Sequence, residues 1–126
     1  MTNSNNNNCT LITTEELIAC KMLADGKTSL QIKDVFLYAK QIESKIKNQK
    51  INATILLNIT YLNDFLRNYK SLFIAKRDKI LLINKDSLEF VYTHIVREMP
   101  YEKQKLLEIH QIANRYKKIY PPEEQQ

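Results

Sequence analysis

The chain has 126 residues, 44% hydrophobic and 26% charged, with 19 Lys+Arg against 14 Asp+Glu for a formal charge of +5. That is enough sequence for one domain with a core that needs no disulfide or metal staple, and the composition excludes pervasive disorder and collagen-like structure. The single glycine, Gly26, excludes a P-loop, a dinucleotide fingerprint and an EF-hand loop, which need Gly where backbone turns sharply or approaches phosphate.

Residues 1–9 are an Asn-rich polar tail with almost nothing to bury, so disorder is expected there. They carry neither a basic start nor an apolar stretch of signal-peptide length. No apolar run further along is long enough to span a bilayer, so no membrane partner is expected. Cys9 and Cys20 are the only cysteines. Two reduced thiols without a secretory signal point to an intracellular setting, in cytoplasm or nucleus.

A first helix is predicted from Thr13 or Thr14. A threonine oxygen caps free amides, Glu15 and Glu16 suit the positive helix end, and Asp25-Gly26 ends it. A second helix is predicted over 29–48, capped by Thr28 or Ser29. Ile32, Val35, Phe36, Ala39, Ile42 and Ile46 fall on one face for about five turns. Lys33, Lys40 and Lys47 recur every seven residues along one edge of that face.

Residues 52–69 are read as a third helix on the spacing of Leu56, Ile59, Leu62, Phe65, Leu66 and Tyr69, although the β-branched Thr54 and Ile55 suit either state. Residues 72–83 read as a β-hairpin: two short apolar runs flank Lys76-Arg77-Asp78-Lys79. Asp86 or Ser87 caps a fourth helix with Leu88, Val91, Ile95 and Met99 on its buried side. Pro100 breaks that helix and opens a fifth, reaching Ile119. The expected fold is mainly α: one domain over 10–121 with about five helices and the hairpin, then a polar tail over 122–126.

No chemistry of a metal or catalytic kind is expected. His94 and His110 stand 16 residues apart, and no CxxC or HxxxH spacing occurs. No nucleophile–base–orienter set can be named, so no catalytic residues, metal or cofactor are assigned. The carboxylates read as solvated helix faces, for example Glu98 with Lys103 and Glu102 with Lys105.

The basic residues are bunched. Residues 31–126 hold 17 Lys+Arg against 11 acids, a net +6. The stretch from Arg67 to Lys85 has six cations against Asp78, and that from Lys40 to Lys50 has four against Glu43. Arg115, Lys117 and Lys118 form a third group. Phosphate backbones attract such clusters through counterion release, and Tyr38, Tyr69 and Tyr116 lie near them in sequence. The candidate nucleic-acid contacts are Lys33, Lys40, Lys47, Lys76, Arg77, Lys79, Arg115, Lys117 and Lys118.

Residues 11–36 read L-I-T-T-E-E-L-I-A-C-K-M-L-A-D-G-K-T-S-L-Q-I-K-D-V-F. This resembles the opening half of the LuxR/GerE type of helix-turn-helix domain through Leu17, Leu23, Ala24, Gly26, Lys27, Thr28, Gln31 and Ile32. The resemblance implies a three-helix DNA reader with its recognition helix around residues 38–50. It also implies a helix break that the unbroken stripe from Ile32 to Ile46 lacks. Residues 111–118, Q-I-A-N-R-Y-K-K, are similar to the recognition helix of Myb and homeodomain folds, whose core tryptophans this chain lacks. Helices followed by a basic hairpin resemble a winged helix, with Lys76, Arg77 and Lys79 as the wing.

The expectation is a non-enzymatic nucleic-acid-binding protein, DNA first, or an accessory subunit of a DNA-acting complex with protein partners. The alternative is a helical protein–protein interaction subunit without nucleic-acid contact. Tyr101, Tyr116, Ile119 and Tyr120 would then anchor a partner, unless core packing takes them, as is expected for Tyr116 and Ile119.

Overall fold

The computed structural model describes residues 9–83 and 88–122. The tail over 1–8, the residues 123–126, Lys85 and the helix cap at Asp86 or Ser87 lie outside them.

The first helix forms as its residues dictate. β1 (Thr10–Ile12) leads into Thr13, which caps α1 (Thr14–Asp25). The Thr13 hydroxyl accepts from the Glu16 amide, and Glu16 Oε1 accepts in return from the Thr13 amide at 3.0 Å. This reciprocal box satisfies two amides that the first turn would leave free. Gly26 closes the helix at φ 66, in the left-handed region. Leu17, Ile18, Ala19, Cys20, Met22 and Leu23 are all buried. A helix apolar around most of its circumference belongs inside, and α1 packs against α2, α3 and the segment after Val91.

After Gly26 the structure departs from the expected helix. Residues Ser29–Gln31 form β2, and α2 (Ile32–Asn48) starts three residues late with no side-chain cap. The Ile32 amide instead donates to the Asp78 carbonyl at 2.8 Å. Residues Ala53–Ile55 form β3, not the start of a helix, and α3 (Ile59–Asn68) begins after Asn58, whose side chain accepts from the Tyr61 amide.

The hairpin is present as β4 (Phe73–Lys76) and β5 (Lys79–Leu82). It belongs to a three-stranded antiparallel sheet in the order β2-β5-β4, while β1 and β3 pair in parallel as a second sheet. α4 (Glu89–Val91) runs into a π turn (Tyr92–Val96). The expected fifth helix is two, α5 (Tyr101–Leu106) and α6 (His110–Ile119), with Glu108 at φ 59 between them. A single helix through this stretch would point Leu106, Leu107 and Ile109 over too wide an arc. The break buries all three.

The mainly-α expectation is therefore corrected. Six helices, a π turn and two small sheets among the described residues make an α+β fold. Three-residue strands carry no readable period of two. They exist because residues about 40–50 positions away complete them, and tertiary pairing of this kind overrides local helical spacing. Buried side chains from Ile12 to Ala113 join in one apolar cluster.

Candidate nucleic-acid interface

The three-stranded sheet divides its side chains by alternation. Leu30, Ile80, Phe73 and Leu82 face the core and are buried. The opposite face carries Ser29, Leu81 and Ile74, then Gln31, Lys79 and Lys76 towards the turn. Lys76 and Lys79 sit directly opposite one another, a like-charge pairing that costs some stability. Arg77 occupies the turn at φ 61, and glycine is the ordinary residue there.

The tip folds without glycine because it is held from both sides. Gln31 pairs with Lys79, and the Asp78 carbonyl receives the Ile32 amide. That bond fixes the tip against the first turn of α2, which carries Lys33. Lys40 and Lys47 continue along α2 on the exposed edge that Lys33 begins, over about 21 Å of helix. The helix is unbroken from Ile32 to Asn48, so residues 38–50, expected as a recognition helix, include the second half of α2 and no turn precedes them.

Lys33, Lys40, Lys47, Lys76, Arg77 and Lys79 are all exposed and make no ion pair among the described residues. The acids beside them are Asp78 in the turn, Asp34 in the first turn of α2, and Glu43 beside Lys40 at a shallow cleft that Phe36 also lines. Six cations thus form one band from the hairpin tip down α2. Gln31 belongs to it, and the sequence hid this because Ser29–Gln31 reads as helix.

Arg115, Lys117 and Lys118 are also exposed but lie on α6, which packs against α5 and the π turn. The tyrosines do not serve the band. Tyr38 donates its hydroxyl to the Leu107 carbonyl at 2.6 Å, Tyr69 stacks on Phe65, and Tyr116 stacks between Tyr92 and Tyr120. Burial pushes the Tyr38 phenol well up from its ordinary value. Ile119, expected in the core, is 65% exposed, and Tyr101 is exposed as well.

Two lysines are structural: Lys103, expected on a solvated face, and Lys45, counted in the basic stretch from Lys40 to Lys50. Lys103 Nζ donates to both carboxylate oxygens of Glu16, at 3.1 and 3.0 Å, with each side chain only 15% exposed. Lys45 Nζ reaches the Lys105 and Leu106 carbonyls at the end of α5, and Glu108. A cation there answers the negative helix end. Glu98 pairs loosely with Arg97 rather than with Lys103.

Among the described residues no group of three His, Cys, Asp or Glu is placed to hold a metal. Cys20 is buried, and burial first, then the Glu16 carboxylate, pushes its thiol far up. No helix among the described residues is long and apolar enough to cross a membrane. Comparisons with family models, curated proteins and solved structures give no match to this chain.

Proposed function

We propose that this chain binds nucleic acid, duplex DNA first, through the band formed by the hairpin tip and the exposed edge of α2, and that it does so as a non-enzymatic component of an intracellular assembly. The observation that carries the reading is the opposed pair Lys76 and Lys79 with Arg77 in the turn between them, next to Lys33, with no ion pair to any of the four among the described residues. A surface that sets like charges together, with fewer acids than cations beside them, is served by a polyanion. Phosphates fit, because counterion release rewards each contact irrespective of sequence. Among the described residues the band has one part-exposed aromatic neighbour, Phe36 in the cleft beside Lys40, and otherwise borders on Leu37, Ile74 and Leu81. Single-strand binders stack successive bases on several aromatic faces, so a duplex backbone suits a surface with one such neighbour better. The stretch along α2 matches about six base steps of duplex at about 3.4 Å per step.

The test is titration of a fluorescent duplex with the chain across a salt series. With four to six phosphate contacts, log affinity falls with log salt at a slope of roughly −4 to −5, and affinity at physiological salt is micromolar or weaker. No salt-dependent binding at low ionic strength would refute the reading.

A second reading rests on one observation. Ile74 is 53% exposed on the edge strand β4, with Ile83 also exposed. A partner protein adding to that edge would cover them. A pull-down with and without nuclease separates the two, since partners that persist after nuclease favour protein docking.

A further inference from the structure

We propose that the cleft between the π turn, α5 and α6 binds a phosphate monoester. The cleft has a volume of about 280 Å³ and is lined by Arg97, Gln104, Asn114 and Lys117, by one acid, Glu98, and by Tyr92 and Met99 among its apolar walls. It is separate from the hairpin band.

The donors are undersubscribed. Arg97 carries five N–H donors. Among the described residues one bond is present, from Nη1 to the Pro121 carbonyl at 3.4 Å. Its Nε is buried and has no hydrogen-bond partner among the described residues. The nearest carboxylate oxygen, on Glu98, stands 3.9 Å away, beyond hydrogen-bond reach, on a side chain that is 85% exposed. Nε itself is covered, so an oxyanion in the cleft would meet the remaining Nη donors of this side chain, which is 23% exposed. Lys117 makes no ion pair among the described residues and adds a second cation to the rim. Gln104 uses one of its two amide N–H groups on the Met99 carbonyl at 3.0 Å, and Asn114 is a second amide on the lining.

The backbone supports this placement. The Arg97 amide closes the π turn on the Tyr92 carbonyl at 2.8 Å. A π turn re-aims the side chains that follow it, and such turns concentrate at functional sites. The stack of Tyr92 on Tyr116, 5.4 Å between centroids, fixes the turn to α6 and so fixes Arg97 relative to Lys117. A planar guanidinium, an ammonium and an amide suit an oxyanion with three acceptor oxygens better than a carboxylate with two. The volume leaves room for the phosphate and a small group esterified to it.

The ester could come from a free phosphorylated metabolite or from the end of a nucleic-acid strand, and the experiment has an arm for each. The isotope-labelled full chain is titrated with inorganic phosphate and with glycerol phosphate at constant ionic strength, following amide shifts. Saturable shifts at Arg97, Asn114 and Lys117 are expected. Arg97→Gln should weaken binding about tenfold, the loss of one charge-assisted contact. Lys117→Gln, at an exposed position, should weaken it in the same direction, and Lys76→Ala should leave it unchanged. A duplex with a 5′-phosphate that binds tighter than its unphosphorylated twin, through Arg97, assigns the strand end. Glycerol phosphate binding without that difference assigns the free ester. Shifts that do not saturate, that centre on the Lys33–Lys79 band, or that survive both variants overturn the proposal.

Discussion

The hairpin–α2 band and the junction of α1, α2 and α5 hold cations of the same kind in opposite circumstances. In the band, Lys33, Lys40, Lys47, Lys76, Arg77 and Lys79 are exposed and unpaired among the described residues. At the junction, Lys45 and Lys103 are withdrawn into contacts with the α5 carbonyls, Glu108 and Glu16. The comparison teaches that a charge count is not a binding charge. Lys45 and Lys103 add to the formal +5 yet serve the interior, while the band concentrates what is left for a partner.

The largest expected effect tests the band. Replacing Lys76, Arg77 and Lys79 together with Ala should lower duplex affinity by about a hundredfold and reduce the salt slope by nearly three, at about 0.9 per lost contact. Thermal stability should change by less than about 0.5 kcal/mol, because these positions are exposed. An equal loss of stability would mean that the tip is structural, and the contrast would fail.

Next comes the junction. Lys103→Ala leaves the Glu16 carboxylate without its cation at 15% exposure. It should destabilise the fold by about 2 kcal/mol in urea denaturation, below the 3–5 kcal/mol of a fully buried pair because some solvent reaches this one. Its duplex affinity, measured where the variant is folded, should be unchanged. A loss of affinity there would erase the distinction between the two groups.

The interior makes a pH prediction. Cys20 and Tyr38 have folded values raised by burial, so the folded chain keeps protons that the unfolded chain releases. Their stabilisation is complete below the unfolded values, about 8.5 for a thiol and 10 for a phenol, and is lost as pH rises beyond them. Stability measured from pH 7 to pH 11 should therefore fall above about pH 9, and Cys20→Ala should make the decline shallower. The same burial should make Cys20 inert to thiol reagents under native conditions while the half-buried Cys9 reacts, which mass spectrometry would read directly.

The smallest effect returns to the tip. Arg77→Gly relieves a positive φ and should stabilise the fold by up to about 1 kcal/mol while removing one phosphate contact. Stability and affinity moving in opposite directions on one substitution would show that the tip is held under strain for its charge.

What the sequence determined by itself is local. Thr13, Glu16 and Gly26 bound α1 through hydrogen bonds and dihedral preferences that reach only a few residues. The repeat of Ile32, Val35, Ala39 and Ile42 marked α2 and placed Lys33, Lys40 and Lys47 on one edge. The hairpin was legible from two apolar runs around a charged centre. What only the tertiary structure decided is pairing. β1, β2 and β3 are too short to carry a pattern, and each forms because a distant partner satisfies its backbone. The joining of Lys33 to the hairpin tip depends on one bond, from the Ile32 amide to the Asp78 carbonyl, between residues 46 apart. The capture of Lys103 by Glu16 spans 87 residues. Local spacing cannot state such contacts, because their energy exists only once the core has brought the elements together.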